Sequence, residues 1–177
     1  MYPQLVAVPA PVGASGNPSP PRDRFDKFTR RSRTVLDLAA KEAQRLGHPQ
    51  ITMEHLLLGM LLEGEGVAAH VLAERGVQIN EARSLLLESL ESVPRIDRQP
   101  VGLSADAKRA IELSVAEANR LRHHYVGTKH LLLGLVAEGH GVAADILRQR
   151  KAGDLRELRS HIVRVLNEGR PYQRPPV

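Results

Sequence analysis

Histidines and carboxylates are the residues in this chain whose placement first invites chemistry. Of eight histidines, His48 recurs as His123 and His55 recurs as His130 within a repeated pattern. Imidazoles brought together can hold a metal, but such a site needs three or four convergent ligands. Cysteine is absent and no histidine stands four residues from another, so a metal site is not expected. His55 and His130 each open an apolar segment, where a ring nitrogen can bond nearby backbone; a structural role is the expectation. Glu63 and Glu65 flank a glycine turn, and nothing in their setting makes them converge on a substrate. No Gly-Lys dipeptide exists, which removes the phosphate-cradling loop G-x-x-x-x-G-K-[ST]. H-E-x-x-H and G-x-S-x-G are missing as well. Neither catalysis nor a cofactor is expected.

The 177 residues carry a formal charge of +5 and a pI near 10, which raises nucleic-acid binding. The basic clusters Arg30-Arg31-Arg33 and Arg148-Arg150-Lys151 are short and lack interleaved aromatics for stacking bases. Most basic residues alternate with acids, as on solvated helix faces. A basic helical nucleic-acid-associated protein is the alternative reading, and it predicts binding with a steep salt dependence. The lack of cysteine suits a reducing compartment. No apolar run reaches the ~18 residues of a membrane span. The N-terminus has no basic leader, and prolines interrupt Leu5–Val12, so a cytoplasmic protein with no membrane contact is expected.

What must position these residues is a duplicated unit. Residues 28–72 and 103–147 align without a gap, and 18 of the 45 pairs are identical. Periods of this kind are the signature of a repeated structural unit. Each copy reads as four helices. The first spans roughly 26–46, with Val35, Leu36, Ala39, Ala43 and Leu46 at helical spacing and Gly47 as a left-handed cap. The second, roughly 53–63, is apolar around most of its circumference, with Thr52 as N-cap, and should be the buried centre. A short third helix runs through Val67, Val71 and Leu72, and a fourth, roughly 79–93, carries Ile79, Ala82, Leu86, Leu90 and Val93. The second copy repeats this from Ser104 to about Glu168, with one residue inserted before its last helix, so that Arg83-Ser84 aligns with Arg159-Ser160. The expected architecture is all-α: repeat 1 at 25–93, a proline-containing linker at 94–102, and repeat 2 at 103–168, in one pseudo-two-fold eight-helix domain. Flexible proline-rich tails are expected at 1–24 and 169–177. The paired repeats satisfy each other, so a monomer is expected.

The segments RFDKFTRRSRTVLDLAAKEAQRLGH, EHLLLGMLLEGEGVAAHVL and YVGTKHLLLGLVAEGHGVAADIL resemble the double Clp repeat. That repeat is the N-terminal domain of ClpC-type AAA+ unfoldases, and the resemblance covers roughly residues 25–168. It implies a module that recruits adaptors and substrates for the Clp protease system. A proline-rich segment follows the second repeat where the family carries ATPase modules, so a stand-alone regulator, adaptor or decoy is expected. Partners would be a Clp unfoldase or peptidase, adaptor proteins or tagged substrates. The resemblance also implies one phospho-arginine site per repeat, using a hydroxyl at the start of the first helix and the Glu of a T-E-H motif. In this chain Thr29 and Glu54 hold those positions in the first copy, with Met53 replacing the usual Thr. The second copy has Ser104 and Thr128, but Lys129 stands where the Glu belongs, reversing the charge meant for a guanidinium. A hydrophobic partner groove is implied at Phe25, Phe28 and Leu103, the last replacing the usual Phe. These three residues could instead staple the helix entries.

Overall fold

Among the described residues eight helices follow one another: α1 (Arg30–Leu46), α2 (Met53–Glu63), α3 (Val67–Glu74), α4 (Ile79–Ser89), α5 (Ala105–Arg120), α6 (Thr128–Glu138), α7 (Gly141–Gln149) and α8 (Leu155–Asn167). The computed structural model describes residues 25–89, Arg95, 102–149 and 154–167. The tails at 1–24 and 169–177, most of the 94–102 linker, and Leu90 and Val93 of the expected fourth helix lie outside the described residues. The fold is all-α, with two four-helix repeats in one domain.

The first helix starts four residues later than its periodicity suggests. Thr29 takes an extended conformation (φ −64°, ψ 161°) and its side chain accepts from the Ser32 N–H, which fixes the helix start at Arg30. The residues ahead of the cap are engaged elsewhere. Phe28 forms a parallel bridge with Val126 of the second repeat, where Thr29 N–H donates to the Val126 carbonyl at 3.0 Å and Val126 N–H to the Lys27 carbonyl at 2.7 Å. The same device is built the other way round at Ile51 and Leu103, with Ser104 N–H donating to the Ile51 carbonyl at 2.9 Å. Each repeat therefore enters its first helix by clasping the approach to the other repeat's second helix.

The central helices are α2 and α6. Leu56, Leu57, Leu58 and Met60 are buried on the first, and Leu131, Leu132, Leu133 and Leu135 on the second. Helix α1 lies against α2 and α5 against α6, while contacts of α3 with α6 and α4 with α7 interlock the halves. The last helix of each repeat is tied to its first by a carboxylate, buried Glu42 in one and half-buried Glu117 in the other. Glu42 accepts from Arg45 and from Arg83 Nε at 3.3 Å, and Glu117 accepts from Arg159 Nη2 at 2.8 Å. Arg83 and Arg159 thus occupy equivalent places, as the one-residue shift between the copies requires. Burial pushes the Glu42 carboxyl up, but Arg45 and Arg83 together outweigh it and hold the group below its ordinary range.

The two copies differ at the end of the first helix. Gly47 takes the left-handed cap (φ 71°), whereas the equivalent place in the second copy is held by exposed Arg122 (φ 57°). A side chain there costs about 1–2 kcal/mol, and glycine returns roughly 0.5–1 kcal/mol of that as unfolded-state entropy. Arg122→Gly is therefore expected to raise stability by about 0.5–1 kcal/mol in urea denaturation. A lowered midpoint would mean that the Arg122 side chain contributes a contact worth more than its backbone strain.

Candidate functional site

Because of the clasps, the surface sites are composed from both repeats. The starts of α1, α3 and α6 meet at a depression of about 410 Å³ lined by Thr29, Arg31, Glu65, Tyr125, Thr128 and Lys129, among others. Thr29 thus shares a pocket with Lys129, and the grouping of Thr29 with Glu54 by repeat is corrected. The reason is the Phe28–Val126 bridge, which lays the start of α1 beside the approach to α6. The opposite bridge places Ser104 by the approach to α2, the helix that carries Glu54.

The two composite sites are charged differently. In the first, Arg31 Nη1 donates to Glu63 Oε1 and Glu65 Oε2, both at 2.7 Å, and the other Glu63 oxygen accepts from the Gly66 N–H. The hydrogen bonds that Arg31 donates to Glu63 and then to Glu65 raise its guanidinium's pKa further, and the two carboxylates together outweigh its single positive charge. Lys129 Nζ donates to the Tyr125 hydroxyl at 3.2 Å and lies 5.3 Å from that ring's centre. At the start of α3, Thr128 Oγ1 accepts from the Ala68 N–H at 3.4 Å. In the second site the equivalent N–H, that of Ala143 in α7, donates to Glu54 Oε1 at 3.1 Å. A carboxylate from α2 therefore binds the Ala143 N–H of α7, whereas the equivalent Ala68 N–H of α3 is bound by a hydroxyl from α6 and the Gly66 N–H ahead of it by Glu63. Ser104 caps α5, its Oγ accepting from the Ala107 N–H at 3.2 Å.

Phe25, Phe28 and Leu103 come together as a second feature. The phenyl rings meet edge to face with centres 5.1 Å apart. Phe28 is nearly all core, at 4% exposure, while Phe25 and Leu103 are half-buried. Two apolar depressions share these residues. One of about 280 Å³ is walled by Phe25, Phe28, Leu103, Ile111 and Val115, and one of about 380 Å³ by Phe25, Leu36, Ile51, Leu56 and Leu103.

The recurring histidines hold the starts of the central helices. His55 Nδ1 accepts from the Thr52 N–H at 3.0 Å, and His130 Nδ1 from the Gly127 N–H at 2.9 Å. Each Nδ1 is an acceptor, so each Nε2 carries the proton and donates to Nδ1 of His48 or His123 at 2.8 Å. Burial first, and the neighbouring His48 second, press His55 down to about 4. Burial, then Lys129 and His123, do the same to His130. Both rings are neutral near pH 7. Among the described residues no three His, Cys, Asp or Glu groups converge as metal ligands.

Sequence reasoning missed Tyr125 and the pairing of sites across repeats. The available signal was that Thr29 and Ser104, as caps, leave the preceding residues free to extend. It did not say which segment those residues would pair with.

The Clp repeat (R) N-terminal domain family matches residues 27–169. The chaperone protein ClpC of pea (Pisum sativum) chloroplasts is 39% identical over 148 residues, which is 84% of this chain and 16% of that protein. The chain spans less than a fifth of the length of such curated relatives. Among solved structures, the N-terminal domain of the chaperone ClpD from Arabidopsis thaliana superimposes with a TM-score of 0.66 at 22% identity, covering 81% of this chain and 97% of that one. A complex of a ClpV N-domain with a VipB peptide gives a TM-score of 0.61 at 16% identity, covering 81% and 89%.

Proposed function

We propose that this chain, which belongs to the Clp repeat N-terminal domain family, is a non-catalytic protein-binding module of the Clp protease system. It acts as an adaptor, regulator or decoy for a ClpC-type unfoldase, as a monomer in the cytoplasm. The observation that carries the reading is the apolar surface divided by half-buried Phe25 and Leu103, set in a fold whose family match runs through both repeats. A peptide bound to a ClpV N-domain of the same fold supports it.

The finer reading is that the Glu54–Ser104 site recognises phospho-arginine. Glu54 Oε1 is engaged by α7, and its second oxygen accepts no hydrogen bond among the described residues, so it can pair with a guanidinium. The start of α5 at Ser104 offers N–H groups to a phosphoryl group. The Thr29–Lys129 site does not share this specificity, because its cation repels a guanidinium.

The test is a pull-down from lysate of the source organism, at moderate salt, with Glu54→Ala in parallel. Recovery of a Clp unfoldase or peptidase supports a subunit-like regulator. Recovery of many arginine-phosphorylated proteins, reduced at least tenfold by Glu54→Ala, supports a decoy that reads the mark. Recovery of nucleic acid alone, released by high salt, would overturn the proposal in favour of a nucleic-acid-associated protein.

A further inference from the structure

We propose that the apolar groove divided by Phe25 and Leu103 is covered by this chain's own residues Leu5–Val12, which fold back onto it and gate the access of partner segments. The two depressions are the halves of one groove built on the internal repeat. The flank on α1 is walled by Leu36 and rimmed by Arg33 and Asp37. The flank on α5 is walled by Ile111 and rimmed by Lys108 and Glu112. In the gapless alignment of the copies, Arg33 matches Lys108, Leu36 matches Ile111 and Asp37 matches Glu112. Phe25, Leu36, Ile51, Leu103 and Val115 are only half-buried, and together they form an apolar patch of the kind that proteins cover or use for binding.

Place, charge and pattern identify the occupant. Phe25 stands on the dividing wall, and its carbonyl is fixed there by the Phe28 N–H at 2.9 Å and by Arg33 Nη2 at 3.0 Å. Residues 1–24 therefore join the fold at the groove itself. The rim cations Arg33 and Lys108 balance the rim acids Asp37 and Glu112, and residues 1–21 include no Asp, Glu, Lys or Arg. The segment after Asn167 carries Arg170 and Arg174 and suits a neutral apolar groove less well. Leu5–Val12 is apolar throughout, and its Pro9 and Pro11 favour an extended backbone with little entropy to lose, the form in which proline-rich segments enter aromatic-lined grooves. Gly13, Gly16 and Asn17, between this stretch and Phe25, are residues that let a chain turn back. Tethering holds such a segment at about 1 mM, so that an affinity of only about 0.1 mM fills the groove in roughly ten chains of eleven and weakens an outside competitor about tenfold. The inference deepens the binding-module reading and rests on it for the partners that are kept out, though not for the docking itself.

Cysteine is absent, so Ala10→Cys places a single nitroxide label on the full chain. In ¹H–¹⁵N spectra the label should broaden the amides of Leu36, Ile51, Leu103 and Val115 at least twofold. Adding Leu5→Ser and Val8→Ser should relieve most of that broadening, whereas a merely tethered segment would broaden regardless. Mixing labelled chains without ¹⁵N and ¹⁵N chains without the label tests for docking onto a second copy; broadening that persists undiminished in the mixture would overturn the intramolecular form. The probe for access is a fluorescein-labelled peptide of residues 1–16. It should bind the Leu5→Ser, Val8→Ser chain at least tenfold more tightly than the unaltered chain, whose groove is already filled, and should shift the same amides. Both readouts need no partner, so they can fail while the pull-down succeeds, and the reverse. Where both hold, the Leu5→Ser, Val8→Ser chain recovers more partner than the unaltered one. Equal affinity of the peptide for the two chains, no binding to either, or broadening indifferent to Leu5 and Val8 would overturn the proposal.

Discussion

Gly134→Ala should destabilise the fold by about 2–4 kcal/mol, a large share of the 5–15 kcal/mol typical of a domain. Gly134 lies where α6 crosses α5. A Cβ placed there would press on the Ala110 carbonyl oxygen and Ser114 Oγ inside van der Waals contact, and would come within 2.7 Å of the Ser114 backbone nitrogen. Two of those three atoms are helix backbone, which cannot rotate out of the way, so the helices must separate. Separation also strains the buried Ser114 hydroxyl, which donates to the Ala110 carbonyl at 2.7 Å. Alanine's better helix propensity returns only about 1 kcal/mol. Gly59→Ala repeats the test in the first copy, where the Val35 carbonyl oxygen and the Ala39 nitrogen, 3.2 Å away, are met instead. Its cost should be smaller, since no buried hydroxyl lies on that side. Urea denaturation of both variants checks the order; an unchanged or raised midpoint for Gly134→Ala would mean that α5 and α6 are not in backbone contact.

These paired glycines show how much of the molecule was legible in the chain. Gly59 and Gly134 stand in matched leucine-rich segments, and the apolar circumference of each segment marked α2 and α6 as central. Gly47, Thr52 and Ser104 were readable as helix ends because capping is local chemistry: a few consecutive residues decide it. The equivalence of Arg83 with Arg159 followed from register alone. What the chain did not show is which repeat completes which site. Thr29 meets Lys129 because Phe28 pairs with Val126, and that pairing is a long-range choice without a periodic signature. Reading one site per repeat assumed that residues close in sequence act together. In a pseudo-symmetric fold the clasps exchange them, so that one site keeps Glu54 with Ser104 and the other gains Lys129 beside Thr29. The two copies thus present differently charged surroundings, with Glu54 in one and Lys129 in the other.

The histidine pairs give the second large effect, an acid-driven loss of stability between about pH 6.5 and 4. His55 and His130 lie at about 4 in the fold, against an ordinary value of 6.5. Between those two values the unfolded chain takes up protons that the folded chain refuses. Stability is therefore complete above pH 6.5 and falls as pH drops through that window. Two such groups acting together contribute on the order of a few kcal/mol across the window. His48 and His123 are also lowered, mainly by burial, and steepen the same slope. Of the other groups packed nearby, Lys129 lies beside the His130 ring and opposes its protonation, whereas Glu42 pulls His55 weakly the other way. Glu42 itself is held below its ordinary 4.5, so its contribution fades only under more acidic conditions. Protonation at Nδ1 would also turn an acceptor into a donor facing the Thr52 or Gly127 N–H, breaking the bond that starts α2 or α6. Thermal denaturation at half-unit pH steps should show a near-flat Tm above pH 7 and a steep fall below pH 6. The double variant His55→Gln, His130→Gln should be less stable at pH 7 but lose most of that slope. A wild-type Tm that is flat from pH 7 to 5, or an unchanged slope in the double variant, would show that these rings do not govern acid stability.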